Sequence, residues 1–301
     1  MLKNVTRCSQ YLTNVGFDVR EVDNPAELSL IRNPVYRELV LERGCCGSAE
    51  FLKLLPFTLT EYDIVIGLDA DMFFSQPFDD LFDAMLVSDP PVLPDMPHRR
   101  DLPPQVDFFF TRDYFKTSLD VAPDHNHFGV QGGFFVARPN TTRYREMLKM
   151  VLEGNFTRSG GWGELRRYGG YHGSPQIQGF MSYYWGAFYP DLAVELNHCV
   201  YNSLGNIPPV AVDECKDPER QQKYATLCKD CREVPVTDIK LHHFAGSCYK
   251  PYDVSMDGLL QFLFCVASCW VCRFLFSACP HIPIANHMQC TFGLAPPISI
   301  S

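Results

Sequence analysis

Two carboxylates, Asp69 and Asp71, close the apolar run Ile64-Val65-Ile66, and apolar side chains resume at once with Met72, Phe73 and Phe74. Residues two apart in an extended strand share a face, and a turn after Leu68 can aim both acids at one point. Converging carboxylates repel unless a cation lies between them. Hard oxygen ligands suit Mn²⁺ or Mg²⁺, and such an ion can also bridge a diphosphate. The same residues would equally make a strand-end turn with two solvated acids, and the spacing alone does not choose.

The elements around the acids follow from periodicity. "DIVIGL" is short, apolar and rich in β-branched residues, which predicts a central strand buried on both faces. "SAEFLKLLPFTLTEY" (48–62) predicts a helix with Phe51, Leu54, Leu55 and Leu59 on one face, interrupted by Pro56. "QPFDDLFDAM" (76–85) and "PQIQGFMSYYWGAF" (175–188) predict further helices. "TTRYREMLKMVLEG" (141–154) predicts another, with a glycine stop. "GFDVREVDNP" (16–25), "GGFFVARPN" (132–140) and "TDIKLHHF" (237–244) read as strands, and residues 88–107, with six prolines, as a loop. Strands alternating with helices predict an α/β fold with a largely parallel sheet. In such sheets ligands sit beyond the carboxyl ends of the strands, where Asp69 and Asp71 stand.

The chain has 301 residues, 46% of them hydrophobic, with a formal net charge of −9. That size allows one large domain or two small ones. No run of Lys or Arg exceeds two, which argues against a nucleic-acid partner. Thirteen cysteines and three sequons, at Asn4, Asn140 and Asn155, favour an oxidising secretory lumen. The residues after Met1, "LKNVTRCSQYLTN", hold no apolar signal core, so the chain is either cytoplasmic or lacks its true N-terminus. "CKDC" (228–231), with Cys215 and Cys248, could bind zinc, form two disulfides or act as a redox pair.

Taken together, "FLKLLPFTLTEYDIVIGLDADMFFSQPFDDLF", "GVQGGFFVARPN" and "HHFAGSCYKPY" occur in an order that resembles the glycogenin-like family of retaining glycosyltransferases (family 8), which have the GT-A fold. The resemblance covers about residues 10 to 255 and implies a domain over 1–255, followed by an atypical tail over 256–301. It implies a mixed, mostly parallel sheet flanked by helices, lacking its first strand or strands. It implies Mn²⁺ (or Mg²⁺) on Asp69, Asp71 and His243, with Leu68, Ala70, Gly246 and Lys250 against the nucleotide diphosphate. Lys53 matches a helix lysine that reaches the donor. Gln131, Gly132 and Gln178 match the sugar face, with Gln178 and Lys53 as the catalytic pair. The implied reaction is retaining transfer of a hexosyl group from a nucleoside diphosphate sugar, UDP-linked by family habit, to a glycan or protein hydroxyl in the Golgi. The family's C…C-x-D-C insertion favours disulfides over zinc.

Three departures stand beside this. Ile177-Gln178-Gly179 replaces the Asp-Gln-Gly of glycogenin, Tyr252 replaces a Trp, and one extra residue separates His243 from Lys250. The family's opening nucleotide-binding strand has no counterpart, so the chain reads as N-terminally truncated, with any membrane anchor lost. Residues 258–279 are about long enough to span a membrane but carry Arg273 and four cysteines, and read first as a non-native extension, second as a span. A non-catalytic relic acting as a binding module is the alternative to the enzyme, and a zinc or redox protein the third reading.

Overall fold

The computed structural model describes residues 9–87 (except 11, 15, 21 and 45), 92–93, 101–113, 129–204, 218, 231–244 and 289–290. The chain divides into two units, Met1–Pro25 with Tyr249–Ser301, and Ala26–Cys248. In the first unit β1 (Val19–Arg20) pairs antiparallel with a two-residue strand at Gln289–Cys290. The expected strand near 16–25 is thus two residues long. The tail segment 258–279 lies outside the described residues. Among the described residues no helix is long and apolar enough to cross a membrane.

The second unit is built on a four-stranded sheet. Its strands are β2 (Val65–Leu68), β4 (Phe108–Arg112), β5 (Val130–Ala137) and β8 (Ala193–Glu195), in the order β2-β5-β4-β8. β5 runs antiparallel to both neighbours, and only β4 and β8 pair in parallel. The mixed α/β sheet stands, but the largely parallel pairing does not. One reversed strand inserted between β2 and β4 makes both of its ladders antiparallel, and alternation of strands with helices cannot reveal that insertion. Likewise β2 closes the described sheet instead of lying at its centre, and its burial alternates. β5 is buried along all eight of its residues, as are the shorter β4 and β8 along theirs.

Alternate residues of the sheet feed two cores. Phe108, Phe110, Phe135 and Ala137 face one side, and Phe109, Phe134, Val136 and Val194 the other. The first side receives α1 (Pro34–Glu42), α3 (Thr141–Glu153) and α4 (Ile177–Phe188). There Trp185 stacks on Phe108 with ring centroids 4.6 Å apart. The second side receives α2 (Asp79–Leu86) and the single turn α5 (His198–Tyr201). α3 starts where Asn140 accepts hydrogen bonds from the Thr142 and Arg143 amides, and stops at Gly154, whose φ of 66° suits glycine. Asn33 caps α1 in the same way, with Pro34 at the first helical position.

The segment predicted as an α-helix near 48–62 is a 3₁₀ helix, Gly47–Thr58. With three residues per turn, Phe51, Leu54 and Phe57 eclipse one another and are all buried. That period, not 3.6, buries Phe57 and leaves Leu55 and Leu59 only partly covered.

α5 carries a disulfide, Cys199–Cys231, at 2.03 Å. A disulfide was expected at Cys231, but its partner lies outside the expected set of Cys215, Cys228 and Cys248, which fall outside the described residues. His198 Nε2 stands 3.1 Å from Cys231 Sγ. Burial pushes this imidazole down to about 4, against opposition from Glu195 and with help from Arg112. Below pH 6.5 the unfolded chain takes up a proton that folded His198 refuses until about 4, so its contribution is whole above 6.5 and is lost as pH falls through that window. The gap in unfolding free energy between wild type and His198→Gln should therefore shrink by about 3 kcal/mol from pH 7 to pH 4, measured by urea denaturation. A gap constant over that range would place the imidazole in a wetter setting.

Candidate metal and sugar site

The sequence brings Asp69 and Asp71 to the end of β2, and β3 (Met72–Phe74) starts at the next residue. β3 pairs antiparallel with β9 (Leu241–His243), and the register sets Met72 opposite His243. A residue 172 positions from Asp71 in the chain is thereby brought to within 3.5 Å of it. Strand alternation also separates the two histidines. His243 is 5% exposed and turned toward the acids, whereas His242 lies against Phe73, ring centroids 6.4 Å apart.

One ligand atom each from Asp69, Asp71 and His243 lies within 4.8 Å of the others. His243 Nε2 is 3.5 Å from Asp71 Oδ1. The Asp69 amide donates to Gly133 O at 2.8 Å, and the Phe244 amide to Asp71 O at 2.9 Å, so backbone pairing holds both acids. Residue 133 must be glycine for this to fit. A Cβ there would stand 2.6 Å from Asp69 Oδ2 and 2.8 Å from His243 Cε1. Two carboxylates and an imidazole, gathered around the face of a glycine, form a donor set suited to Mn²⁺ or Mg²⁺.

Lys53 comes to the same point from the 3₁₀ helix. Its ammonium is 2.7 Å from Asp69 Oδ1 and 3.1 Å from Glu50 Oε2. The three-residue turn stacks Glu50 over Lys53. Burial opposes the Lys53 charge, but the two carboxylates outweigh it and hold Lys53 protonated well above the usual lysine range. Burial also raises Asp69 above the usual carboxylate range, and Lys53 pulls it back.

Of the residues matched to the sugar face, Gln131 lies beside the acids through Gly133, whereas Gly132 is turned toward α4 and Gln178. Gln131, on β5, accepts from the Gly133 amide at 2.8 Å and from Asn202 Nδ2 at 3.2 Å. Gly132 faces α4, where a Cβ would come 3.1 Å from Gln178 Cβ. Gln178 is half-buried, and its Nε2 donates to His172 O at 2.9 Å. Leu68 pairs with Phe134, and Ala70 forms the turn between the acids. Gly246 and Lys250 lie outside the described residues. Sequence reasoning did not reach Glu50, Gly133 or Asn202. The i, i+3 spacing of Glu50 and Lys53 was a readable signal for the first. Nothing in the sequence marks Asn202.

No known family matches the chain, and no curated protein matches it. Among solved structures the chain is similar to mouse xyloside xylosyltransferase 1 in its apo form, at 13% identity and a TM-score of 0.37, over 82% of this chain and 74% of that one. It is also similar to the apo WbbM bifunctional glycosyltransferase, at 14% identity and a TM-score of 0.36, over 68% of this chain and 32% of that one. The chain thus spans about a third of the second protein's length.

Proposed function

We propose that the chain is a glycosyltransferase of the glycogenin-like type, moving a hexosyl group from a nucleoside diphosphate sugar, a UDP-sugar by family habit, to an acceptor hydroxyl with retention. The meeting of Asp69 and Asp71 with His243 carries this reading, because the family resemblance assigns a metal to those three and the fold gathers them. Asp69, Asp71 and His243 would hold Mn²⁺ or Mg²⁺, which draws charge from the departing diphosphate. Lys53, fixed as an ammonium between Asp69 and Glu50, adds positive charge on the same side. Gln131, Gly132 and Gln178 orient the sugar, and Gly246 and Lys250 complete the diphosphate site by resemblance.

In the step itself the bond from the anomeric carbon to the diphosphate oxygen breaks, and its electron pair leaves on that oxygen. The acceptor oxygen bonds the anomeric carbon on the same face, and its proton passes to the departing phosphate. This route needs no carboxylate nucleophile, and the acids at the site have other work: Asp69 pairs with Lys53, and Glu50 supports Lys53. The Cys199–Cys231 disulfide favours a secretory, Golgi-type compartment, and the glycan or protein acceptor follows from the family resemblance.

The test is release of UDP from a panel of UDP-hexoses by the full chain. Release with Mn²⁺ that stops on adding EDTA is expected. Silence across the panel, or release indifferent to metal, would overturn the proposal.

A further inference from the structure

Three hydrogen bonds in series run from the backbone of β5 to the ring of His243. The Gly133 amide can only donate, so the side-chain atom 2.8 Å away is an oxygen, and Gln131 is fixed with Oε1 toward it. The Asn202 atom 3.2 Å from that oxygen must then donate, which makes it Nδ2; the same Nδ2 lies 2.7 Å from the Thr111 hydroxyl oxygen. Asn202 is left with Oδ1 facing His243 Nδ1 at 3.0 Å. An amide oxygen only accepts, so the proton of the neutral ring sits on Nδ1.

We infer that Asn202 is a positioning residue: through Gln131 and the Gly133 amide it locks His243 in the Nδ1–H tautomer and turns an unprotonated Nε2 toward Asp71 and Asp69. Two acceptors, Nε2 and Asp71 Oδ1, then face each other at 3.5 Å, an arrangement that a cation between them satisfies. The two backbone groups of Gly133 serve both sides of the site. Its carbonyl takes the Asp69 amide, and its own amide starts the chain that ends on His243. Asn202 is held in turn by the backbone. It follows α5, and the next residue, Ser203, accepts from the His243 amide at 2.8 Å while its own amide donates to Leu241 O at 2.8 Å. A buried partner on the second ring nitrogen fixes ring orientation and raises the basicity of the ligating one.

The tautomer stands on geometry alone. Its consequence for metal affinity rests on the function proposed above, and the two are read separately. The first measurement is a long-range ¹H–¹⁵N correlation spectrum of the full chain, stripped of metal, with labelled histidine near pH 8, where neutral rings prevail. His243 is assigned by the signal lost in His243→Gln. A protonated Nδ1 with a bare Nε2 is expected, and the opposite tautomer or a mixture overturns the inference. The second is Mn²⁺ affinity, read from the free-ion electron paramagnetic resonance signal. Asn202→Ala should weaken it about 10- to 100-fold, whereas Asn202→Asp, which keeps an acceptor for Nδ1–H, should stay nearer wild type. Equal affinity in Asn202→Ala overturns the inference. If that variant does not fold, the wild-type spectrum still decides. A wild type with the expected tautomer and no Mn²⁺ binding would sink the proposed function and leave the hydrogen-bond relay standing.

Discussion

Asp71→Asn is expected to abolish Mn²⁺-dependent sugar transfer while the folded protein loses little or no stability. The substitution keeps the shape of the side chain and removes one of the two charges gathered at the end of β2. Without metal, Asp71 sits near Asp69, and like charges within one donor cluster cost energy, so neutralising one leaves the apo fold neutral or slightly firmer. With metal the balance reverses. Both acids would lend charge to the cation, Asp69 beside Lys53 and Asp71 beside His243. An imidazole ligand brings no negative charge and cannot replace that of a carboxylate. Losing a single preorganised charge at a transition state costs roughly 10²- to 10³-fold in rate, and losing a metal ligand belongs at or beyond the upper end. UDP release at saturating Mn²⁺, set beside thermal melting of both proteins, checks the pair of expectations. Undiminished transfer in the variant would remove the assignment.

Lys53→Met should give the largest loss of stability among single changes at the site. Met fills much of the same volume but leaves Asp69 and Glu50 buried together without their cation. Glu50 is 6% exposed, and the Lys53 side chain is 13% exposed. Removing one partner from a buried ion pair costs about 3–5 kcal/mol, because the charge left behind is neither solvated nor paired. The dependence on pH follows from Asp69. Burial already raises it, and Lys53 is the main group pulling it down, so the variant raises it further. A carboxyl raised in the folded state holds a proton that the unfolded chain has released, and folding is penalised as pH rises through that value. The deficit of Lys53→Met against wild type is thus largest near neutrality and shrinks in acid. Mn²⁺ should recover part of it, since a ligand bound only by the folded state stabilises that state. Urea denaturation of metal-free proteins across pH, repeated with Mn²⁺, reads all three effects. A deficit under about 1 kcal/mol at neutral pH would mean that water, not protein, solvates these acids.

How much of this could be read in the sequence differs from residue to residue. Asp69 and Asp71 stood out as a pair at a strand end, but their spacing left a metal site and a solvated turn equally open, and the choice of His243 over His242 rested on the H-F pair of the resemblance. Strand alternation along β9 turns His243 toward the acids and His242 toward Phe73. α3 was legible from both ends, through the Asn140 cap and the Gly154 stop. The 3₁₀ helix was not, because 3.0 and 3.6 residues per turn agree over one turn and part only at Phe57. β4 was hidden because Phe108-Phe109-Phe110, flanked by Asp107 and Thr111 behind a proline-rich stretch, is a short apolar run with no alternation to signal a strand. α1 carries a readable start in Asn33-Pro34. The Cys199–Cys231 pairing depends on a contact across 32 residues that spacing does not encode. Asn202 is the clearest limit: an asparagine after one short helical turn looks like any cap until the tertiary fold sets it against His243.

Everything proposed about the reaction depends on one ion touching both the imidazole of His243 and the diphosphate of the donor. Pulsed electron paramagnetic resonance of Mn²⁺ bound to the full chain with UDP measures both contacts at once. A ¹⁴N coupling that disappears in His243→Gln is expected, together with a ³¹P coupling from UDP on the same ion. A bound Mn²⁺ that shows phosphorus but no histidine nitrogen, or nitrogen but no phosphorus, would contradict the proposed reaction.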